Sequence, residues 1–134
     1  MGVILDTSVL IEAERGRLNI ERLISGRESE SFGLSTVSVA ELLHGVHRAD
    51  SEYRRLKRSA FVEKIIEIFP IYPLDLNITR VYAKLWSDLL KKGLKIGAHD
   101  LIIGATAISL NFSIATFNLR HFNKIEGIKL EILE

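Results

Sequence analysis

The chain has 134 residues, of which 47% are hydrophobic and 26% are charged, and its formal net charge at pH 7 is only +1. This size and composition are typical of one folded domain, which we take as residues 1–134, and they exclude a long disordered or low-complexity chain. The absence of cysteine excludes a disulfide framework, a thiolate zinc site and a cysteine nucleophile.

Segments typical of strands and of helices alternate along the chain. Residues 2–6 (GVILD) form a short apolar run, and residues 7–15 follow as a helix that Thr7 or Ser8 can cap. The next predicted segments, in order, are a helix at 19–25, a strand at 31–36, helices at 36–49 and 51–68, a brief strand at 70–75, helices at 76–93 and 98–110, and strands at 112–117 and 128–133.

This order predicts an α/β fold, a three-layer α/β/α sandwich with a central parallel sheet of about five strands. Strands that are separated by helices pair in parallel, and the crossover helices cover the two faces of the sheet. In such folds, ligands bind beyond the carboxyl ends of the strands. Polar residues at those ends are therefore the first candidates for chemistry.

Three carboxylates lie in segments that this topology brings to one crevice. Asp6 directly follows the first strand, although it could instead cap the next helix. Glu41 is flanked by apolar residues within its helix, where a position facing solvent is the alternative. Asp100 falls in the first turn of an otherwise apolar helix, where it could simply interact with the helix dipole.

A shared location would change the chemistry of these three groups. Carboxylates in a small volume repel one another and raise each other's pKa unless a cation is present. A hard divalent ion resolves that conflict, and Mg²⁺ and Mn²⁺ prefer oxygen ligands. We therefore expect a divalent cation if the three carboxylates converge.

Four segments resemble the signature segments of PIN-domain ribonucleases, and more closely those of the VapC toxins of VapBC toxin–antitoxin pairs. They read VILDTSVLIE, STVSVAELLHG, AHDLIIGATAI and IATFNLRHF, and the likeness extends over the whole chain in the order and spacing of the family. The resemblance implies a PIN-like fold and an endoribonuclease dependent on Mg²⁺ or Mn²⁺. In such an enzyme a metal-activated water hydrolyses RNA phosphodiester bonds.

The resemblance also implies roles for individual residues. The acidic metal-site positions of the family fall at Asp6, Glu41 and Asp100. The fourth catalytic position, which is often Asp, falls at Asn118, so this chain departs from the fully acidic pattern. Because Asn118 can form hydrogen bonds but adds no negative charge, one bound ion and two bound ions both stay open.

Hydroxyl groups also line the sites of this family. The matching positions are Thr7, Ser35 and Thr116. We expect these residues to donate hydrogen bonds around the carboxylates. Each of them could instead cap a helix or stabilise a turn.

Partners follow from the same resemblance. It implies an RNA substrate, a VapB-type antitoxin that covers the acidic cleft, and a homodimer. Basic residues in segments 48–58 and 91–95 could steer nucleic acid, or they could form solvated helix faces. An inward apolar stripe, part of which could serve an interface, is predicted on the helix at 76–93 and comprises Val81, Leu85, Trp86, Leu89 and Leu90.

Other functions fit the sequence less well. A flavodoxin-like receiver would carry an acidic pair near the first strand, and a haloacid dehalogenase would carry Asp where Ser8 stands. A di-iron bundle needs its Glu-x-x-His motif twice, whereas the pair formed by Glu41 and His44 occurs once. His121 is expected at the surface or at the rim of the site. The alternative that stays open is a PIN-like or flavodoxin-like binding module without catalytic activity.

The sequence also predicts a cytoplasmic location. The apolar run at residues 3–5 is too short for the core of a signal peptide. In addition, no run approaches the roughly 18 apolar residues that a membrane helix needs. We therefore expect no membrane-spanning segment.

Overall fold

The computed structural model describes residues 2–133. Every predicted strand and helix is present, with bounds shifted by a few residues. The elements are β1 (Gly2–Leu5), α1 (Thr7–Glu14), α2 (Ile20–Ile24), β2 (Ser31–Ser35), α3 (Thr36–His47), α4 (Glu52–Ile68), β3 (Ile71–Tyr72), α5 (Leu76–Lys91), α6 (Ala98–Leu110), β4 (Ser113–Thr116), α7 (Leu119–Phe122) and β5 (Leu130–Ile132). Helix α7 was not predicted, because a four-residue helix is too short to show a periodic pattern.

The five strands form one sheet in the order β3-β2-β1-β4-β5. All four pairings are parallel, and Val3 of the central strand β1 stands opposite Phe32 on one side and Ser113 on the other. Parallel neighbours require crossover connections, which the intervening helices supply. The predicted α/β/α architecture is confirmed.

Hydrophobic cores lie against both faces of the sheet. Successive residues of a strand point to opposite faces, so Val3 and Leu5 join one buried cluster, with Leu34 and Leu10, while Ile4 joins another. The second cluster includes residues of α6 and the buried Phe122 of α7. Strand β1 is thus buried on both faces, and its carboxyl end is fixed in position.

The predicted inward stripe of α5 is only partly buried. Leu89 is in the core, whereas Trp86 and Leu90 are exposed to 53% and 63%. Helix α5 packs mainly against α6, which covers one side of it and leaves the other in solvent. The expectation that Trp86 and Leu90 point inward was therefore wrong. None of the helices between residues 2 and 133 is long and apolar enough to cross a bilayer.

The buried face of α6 should contribute strongly to the stability of the core cluster that contains Ile4 and Phe122. Ile103 is fully buried, whereas Ile68 at the end of α4 is exposed. We expect Ile103→Ala to lower the free energy of unfolding by about 2–5 kcal/mol, because it leaves a cavity in a packed core. The matched control Ile68→Ala should change it by less than about 0.5 kcal/mol. Denaturant unfolding measures both values, and equal losses in the two variants would contradict the assignment of this core.

Candidate functional site

The predicted site residues come from ends of elements that meet at one edge of the sheet. Asp6 lies directly after β1, and Thr116 is the last residue of β4. Ser35 ends β2 and leads straight into α3, which carries Glu41, while Asp100 lies in the first turn of α6. Because β2, β1 and β4 are parallel neighbours, their carboxyl ends share one edge of the sheet, where ligands bind in this class of fold.

Asp6 is almost completely buried, with 1% of its surface exposed. Its Oδ2 accepts hydrogen bonds from Ser8 Oγ at 2.8 Å and from Thr116 Oγ1 at 2.7 Å. Its side chain makes no capping hydrogen bond to α1, so the helix-cap alternative does not describe this carboxylate. The two hydroxyls compensate for the removal of Oδ2 from water.

The second carboxylate oxygen of Asp6 has a different environment. Within residues 2–133, no side chain or backbone group donates to Asp6 Oδ1, yet no buried side-chain oxygen or nitrogen lacks a partner. Together these facts mean that Oδ1 retains some contact with solvent, although Asp6 as a whole is almost completely buried. Asp6 therefore has one oxygen that is held by the protein and one that receives no hydrogen bond from residues 2–133.

Glu41 is tied to the residue that follows Asp6. Its Oε1 accepts a hydrogen bond from Thr7 Oγ1 at 2.9 Å, and the same hydroxyl lies 2.9 Å from Ser38 Oγ. Its Oε2 lies 3.9 Å from His99 Nδ1, and the side chain is 36% exposed. Glu41 is thus held toward the sheet edge and is not simply part of a solvated helix face.

Asp100 lies close enough to Asp6 for their charges to interact. Its side chain is 23% exposed, and its Oδ2 lies 2.8 Å from His121 Nδ1. Burial raises the pKa of Asp100 above the usual value of an aspartate, and the negative charge of Asp6 raises it further. The hydrogen bond and charge of His121 act against this shift, as does the charge of His99.

The other predicted site residues differ in their roles. Thr7 and Thr116 donate to carboxylates, as expected. Ser35 instead accepts a hydrogen bond from the backbone N–H of Val37 and caps α3, so the capping alternative describes it. Asn118 is exposed, and its backbone N–H donates to Thr116 Oγ1 at 2.8 Å.

The three carboxylates share the edge without forming a compact ligand set. Across residues 2–133, no three His, Asp or Glu side chains are close enough together to hold one ion. Mutual repulsion between uncompensated carboxylates favours such spacing. The donor set nevertheless fits Mg²⁺, which takes oxygen ligands and commonly binds only one or two carboxylates while keeping several waters.

Sequence reasoning missed two contributors and underestimated a third. Ser8 and Ser38 were not expected to form hydrogen bonds with residues of the site, although the spacing of Ser8 from Asp6 suits a local hydrogen bond. His121 was expected only at the surface or the rim, yet it contacts Asp100. That contact depends on the unpredicted helix α7, so no sequence pattern would have shown it.

The basic segment at residues 48–58 is partly neutralised by neighbouring acids. Its ion pairs join Arg54 to Asp50, Arg55 to Glu52 and Arg58 to Glu14. Exposed pairs of this kind contribute little to stability, but they engage three of the five basic side chains of the segment. The alternative of a solvated helix face therefore describes it better than a cationic binding patch.

Comparisons with known proteins agree with the geometry. The PIN domain family matches residues 3–128. Ribonuclease VapC1 of Rickettsia felis is 36% identical over 133 residues, covering 97% of this chain and 95% of that protein. The crystal structure of VapBC2 from Rickettsia felis bound to a DNA fragment from their promoter superposes with a TM-score of 0.90 at 24% identity, covering 100% of both chains. DNA-bound VapBC from Salmonella typhimurium gives 0.86 at 26% identity, covering 98% of this chain and 97% of that one.

The raised pKa of Asp100 predicts how its replacement affects stability without metal. Because the folded-state pKa lies above the unfolded one, ionisation destabilises the fold as pH rises through and beyond the usual aspartate range, and it costs nothing well below that range. In EDTA, Asp100→Asn should unfold a few degrees higher than the parent at pH 7. The difference should vanish near pH 3.

Thermal unfolding between pH 3 and pH 8 tests this expectation. Asp50→Asn, which removes an exposed carboxylate, is the control and should not show the same gain. An Asp100→Asn variant that is less stable than the parent at pH 7 in EDTA would contradict the electrostatic argument.

Proposed function

Because this chain belongs to the PIN domain family, within its VapC ribonucleases, we propose that it is a divalent-metal-dependent endoribonuclease and the toxin of a type II toxin–antitoxin pair. The family predicted from the four sequence segments is thereby confirmed. The observation that carries the proposal is Asp6, buried at the end of the central strand with one oxygen held by two hydroxyls and the other without a hydrogen-bond donor among residues 2–133. The whole chain, residues 1–134, is then one PIN domain acting on RNA in the cytoplasm.

We assign the metal, Mg²⁺ or Mn²⁺, to the oxygens of Asp6 and Asp100, with Glu41 as the third acidic residue of the site. When bound, such an ion lowers the pKa of a water and neutralises charge on the phosphate. Ser8 and Thr116 hold Oδ2 of Asp6, which leaves Oδ1 available for the ion. Thr7 does the same for Glu41 by binding Oε1, which leaves Oε2 to accept a hydrogen bond from water.

Asn118 takes the position that is often acidic in the family. It is exposed beside Thr116, where its amide can donate to a phosphate oxygen or orient water. Since the amide is neutral, it adds nothing to hold a second ion. A site with one tightly bound ion therefore fits this chain better than a site with two.

Attack by water does not require a ribose 2′-hydroxyl, so the site chemistry alone does not select RNA over DNA. The assignment of RNA comes from relatives such as the VapC1 ribonuclease of Rickettsia felis. The basic segment at 48–58 has three of its five basic side chains in ion pairs, so it does not form a strongly cationic RNA-binding patch. Mapping of cleavage ends across total cellular RNA would identify the substrate.

We propose two protein partners. The solved VapBC complexes similar to this chain support a VapB-type antitoxin, which would inhibit the enzyme by covering the acidic cleft. A homodimer would use a second stripe of α5, which is exposed and differs from the predicted inward stripe. Its residues follow one another at alternating steps of three and four, the spacing of a helix-packing seam, and are Leu76, Thr79, Ala83, Trp86 and Leu90.

The alternative is a PIN-like module that binds partners without cleaving RNA. Such a module would have no need for a buried carboxylate held by two hydroxyls with one oxygen free, because an apolar residue in that place costs less. The arrangement around Asp6 therefore favours the enzyme. The following experiment separates the two functions.

Loss of the acidic residues should abolish cleavage. We expect Asp6→Asn/Asp100→Asn to lower the rate of RNA cleavage in Mg²⁺ or Mn²⁺ by more than about 100-fold, since loss of a group that merely supports a ligand typically costs about 10- to 100-fold. Asp50→Asn removes an exposed carboxylate and should cleave like the parent. Equal cleavage by the double variant and the parent, or no metal-dependent cleavage by the parent, would contradict the proposed function.

The dimer surface has its own test. Leu90→Glu places a charge in the α5 stripe and should weaken self-association by at least about tenfold, because burial of an unpaired charge costs more than about 1.4 kcal/mol. Leu56→Glu alters a similarly exposed leucine on α4 and should leave the dimer intact. Light scattering during gel filtration measures the mass, and Asp6→Asn in all samples suppresses toxicity during production. A Leu90→Glu protein that stays dimeric would contradict this surface.

A further inference from the structure

The three site carboxylates share one hydrogen-bonding pattern. Asp6 Oδ2 accepts from Ser8 and Thr116, and Glu41 Oε1 accepts from Thr7. Asp100 Oδ2 lies 2.8 Å from His121 Nδ1. In the part of the chain from residue 2 to 133, no hydrogen bond reaches the second oxygen of any of the three. Each carboxylate therefore has one oxygen that is hydrogen-bonded by the protein and one that is free to bind an ion.

For Asp6 and Glu41 the holding groups are hydroxyls, whereas for Asp100 the holding group is the imidazole of His121. We propose that His121 is a positioning residue of the metal site, which donates Nδ1–H to Asp100 Oδ2 and thereby presents Asp100 Oδ1 to the ion. This inference rests on the proposed function, in which Asp6 and Asp100 hold a divalent cation. His121 would then be the fourth side chain that holds a site carboxylate, after the hydroxyl groups of Ser8, Thr116 and Thr7.

The local structure around His121 suits this role. Its neighbour Phe122 is fully buried in the core cluster that also contains residues of α6. The backbone N–H of His121 donates to Asn118 O at 3.1 Å. The backbone of α7 is therefore anchored to the body of the protein, and the half-exposed imidazole reaches Asp100 from that backbone.

A second histidine provides a contrast. His99 precedes Asp100 in sequence, but its Nδ1 lies 3.9 Å from Glu41 Oε2, beyond hydrogen-bond distance. His121 is thus the histidine that holds a site oxygen in this arrangement. Fixing a carboxylate before the ion arrives removes part of the conformational entropy that binding would otherwise cost.

The test is the binding of Mn²⁺ to the full chain in the absence of RNA, measured by calorimetry. We expect His121→Leu to weaken binding by about 10- to 100-fold, as is typical for residues that support metal ligands. His121→Asn places an amide nitrogen near the position of Nδ1 and should stay within a few-fold of the parent. His121→Gln places its amide near Nε2 instead and should weaken binding about as much as His121→Leu.

Controls separate this role from a general structural one. His47→Leu alters an exposed histidine of α3 and should bind Mn²⁺ like the parent. A merely structural role would lower the unfolding temperature in EDTA for all three His121 variants without the Asn rescue of metal binding. If His121→Leu is poorly folded, the comparison of His121→Asn with His121→Gln decides the question by itself.

The outcomes distinguish the inference from the proposed function. Unchanged Mn²⁺ affinity in His121→Leu and His121→Gln, with binding lost in Asp100→Asn, would overturn the role of His121 and leave the metal site intact. No binding of Mn²⁺ by the parent would overturn both. Weak binding by the Leu and Gln variants together with near-parent binding by the Asn variant is the result we expect.

Discussion

A carboxylate at the end of a central strand, removed from water, is stable only where donors reach its oxygens. Asp6 meets that condition at Oδ2, which accepts from Ser8, on the helix that follows it, and from Thr116, at the end of the neighbouring strand. The bond to Thr116 requires β1 and β4 to end at the same level, which their parallel register provides. Two other site groups are positioned from this point. Thr7 follows Asp6 and holds Glu41, and the backbone N–H of Asn118, two residues after Thr116, donates to the Thr116 hydroxyl.

The two cores explain why this edge of the sheet can carry so many acidic groups. Strand β1 is buried on both faces, and α6 buries six of its 13 residues, so the apolar packing offsets the cost of bringing charges together. The raised pKa of Asp100 reflects that cost. Ionised Asp100 is therefore unfavourable for the fold next to Asp6, and a nearby cation would relieve that repulsion. A strained site supported by a well-packed scaffold is a common arrangement in enzymes.

Much of the fold and part of the site followed from the sequence. Apolar runs and caps predicted all five strands and six of the helices, and the strand–helix alternation predicted the edge at which Asp6, Glu41 and Asp100 lie. The sequence could not predict that Trp86 and Leu90 face solvent, because an apolar pattern does not reveal which side of a helix finds a neighbour. Nor could it predict the contact between His121 and Asp100, which joins two helices through tertiary packing. The roles of Ser8 and Ser35 depended on side-chain directions that spacing alone leaves open.

The pairing of the first strand with the fourth has a consequence for how the protein is made. Asp6 and Thr116 are 110 residues apart, and contacts of such long range form late because closing the intervening chain is entropically costly. During synthesis from the N-terminus, β1 is exposed long before its partner β4 leaves the ribosome. Asp6 then lacks one of its two donors, and Asp100 and His121 have not yet been brought to it. A partly synthesised chain therefore contains no assembled site, and the carboxylates and their donors come together only when nearly all of the chain has been translated.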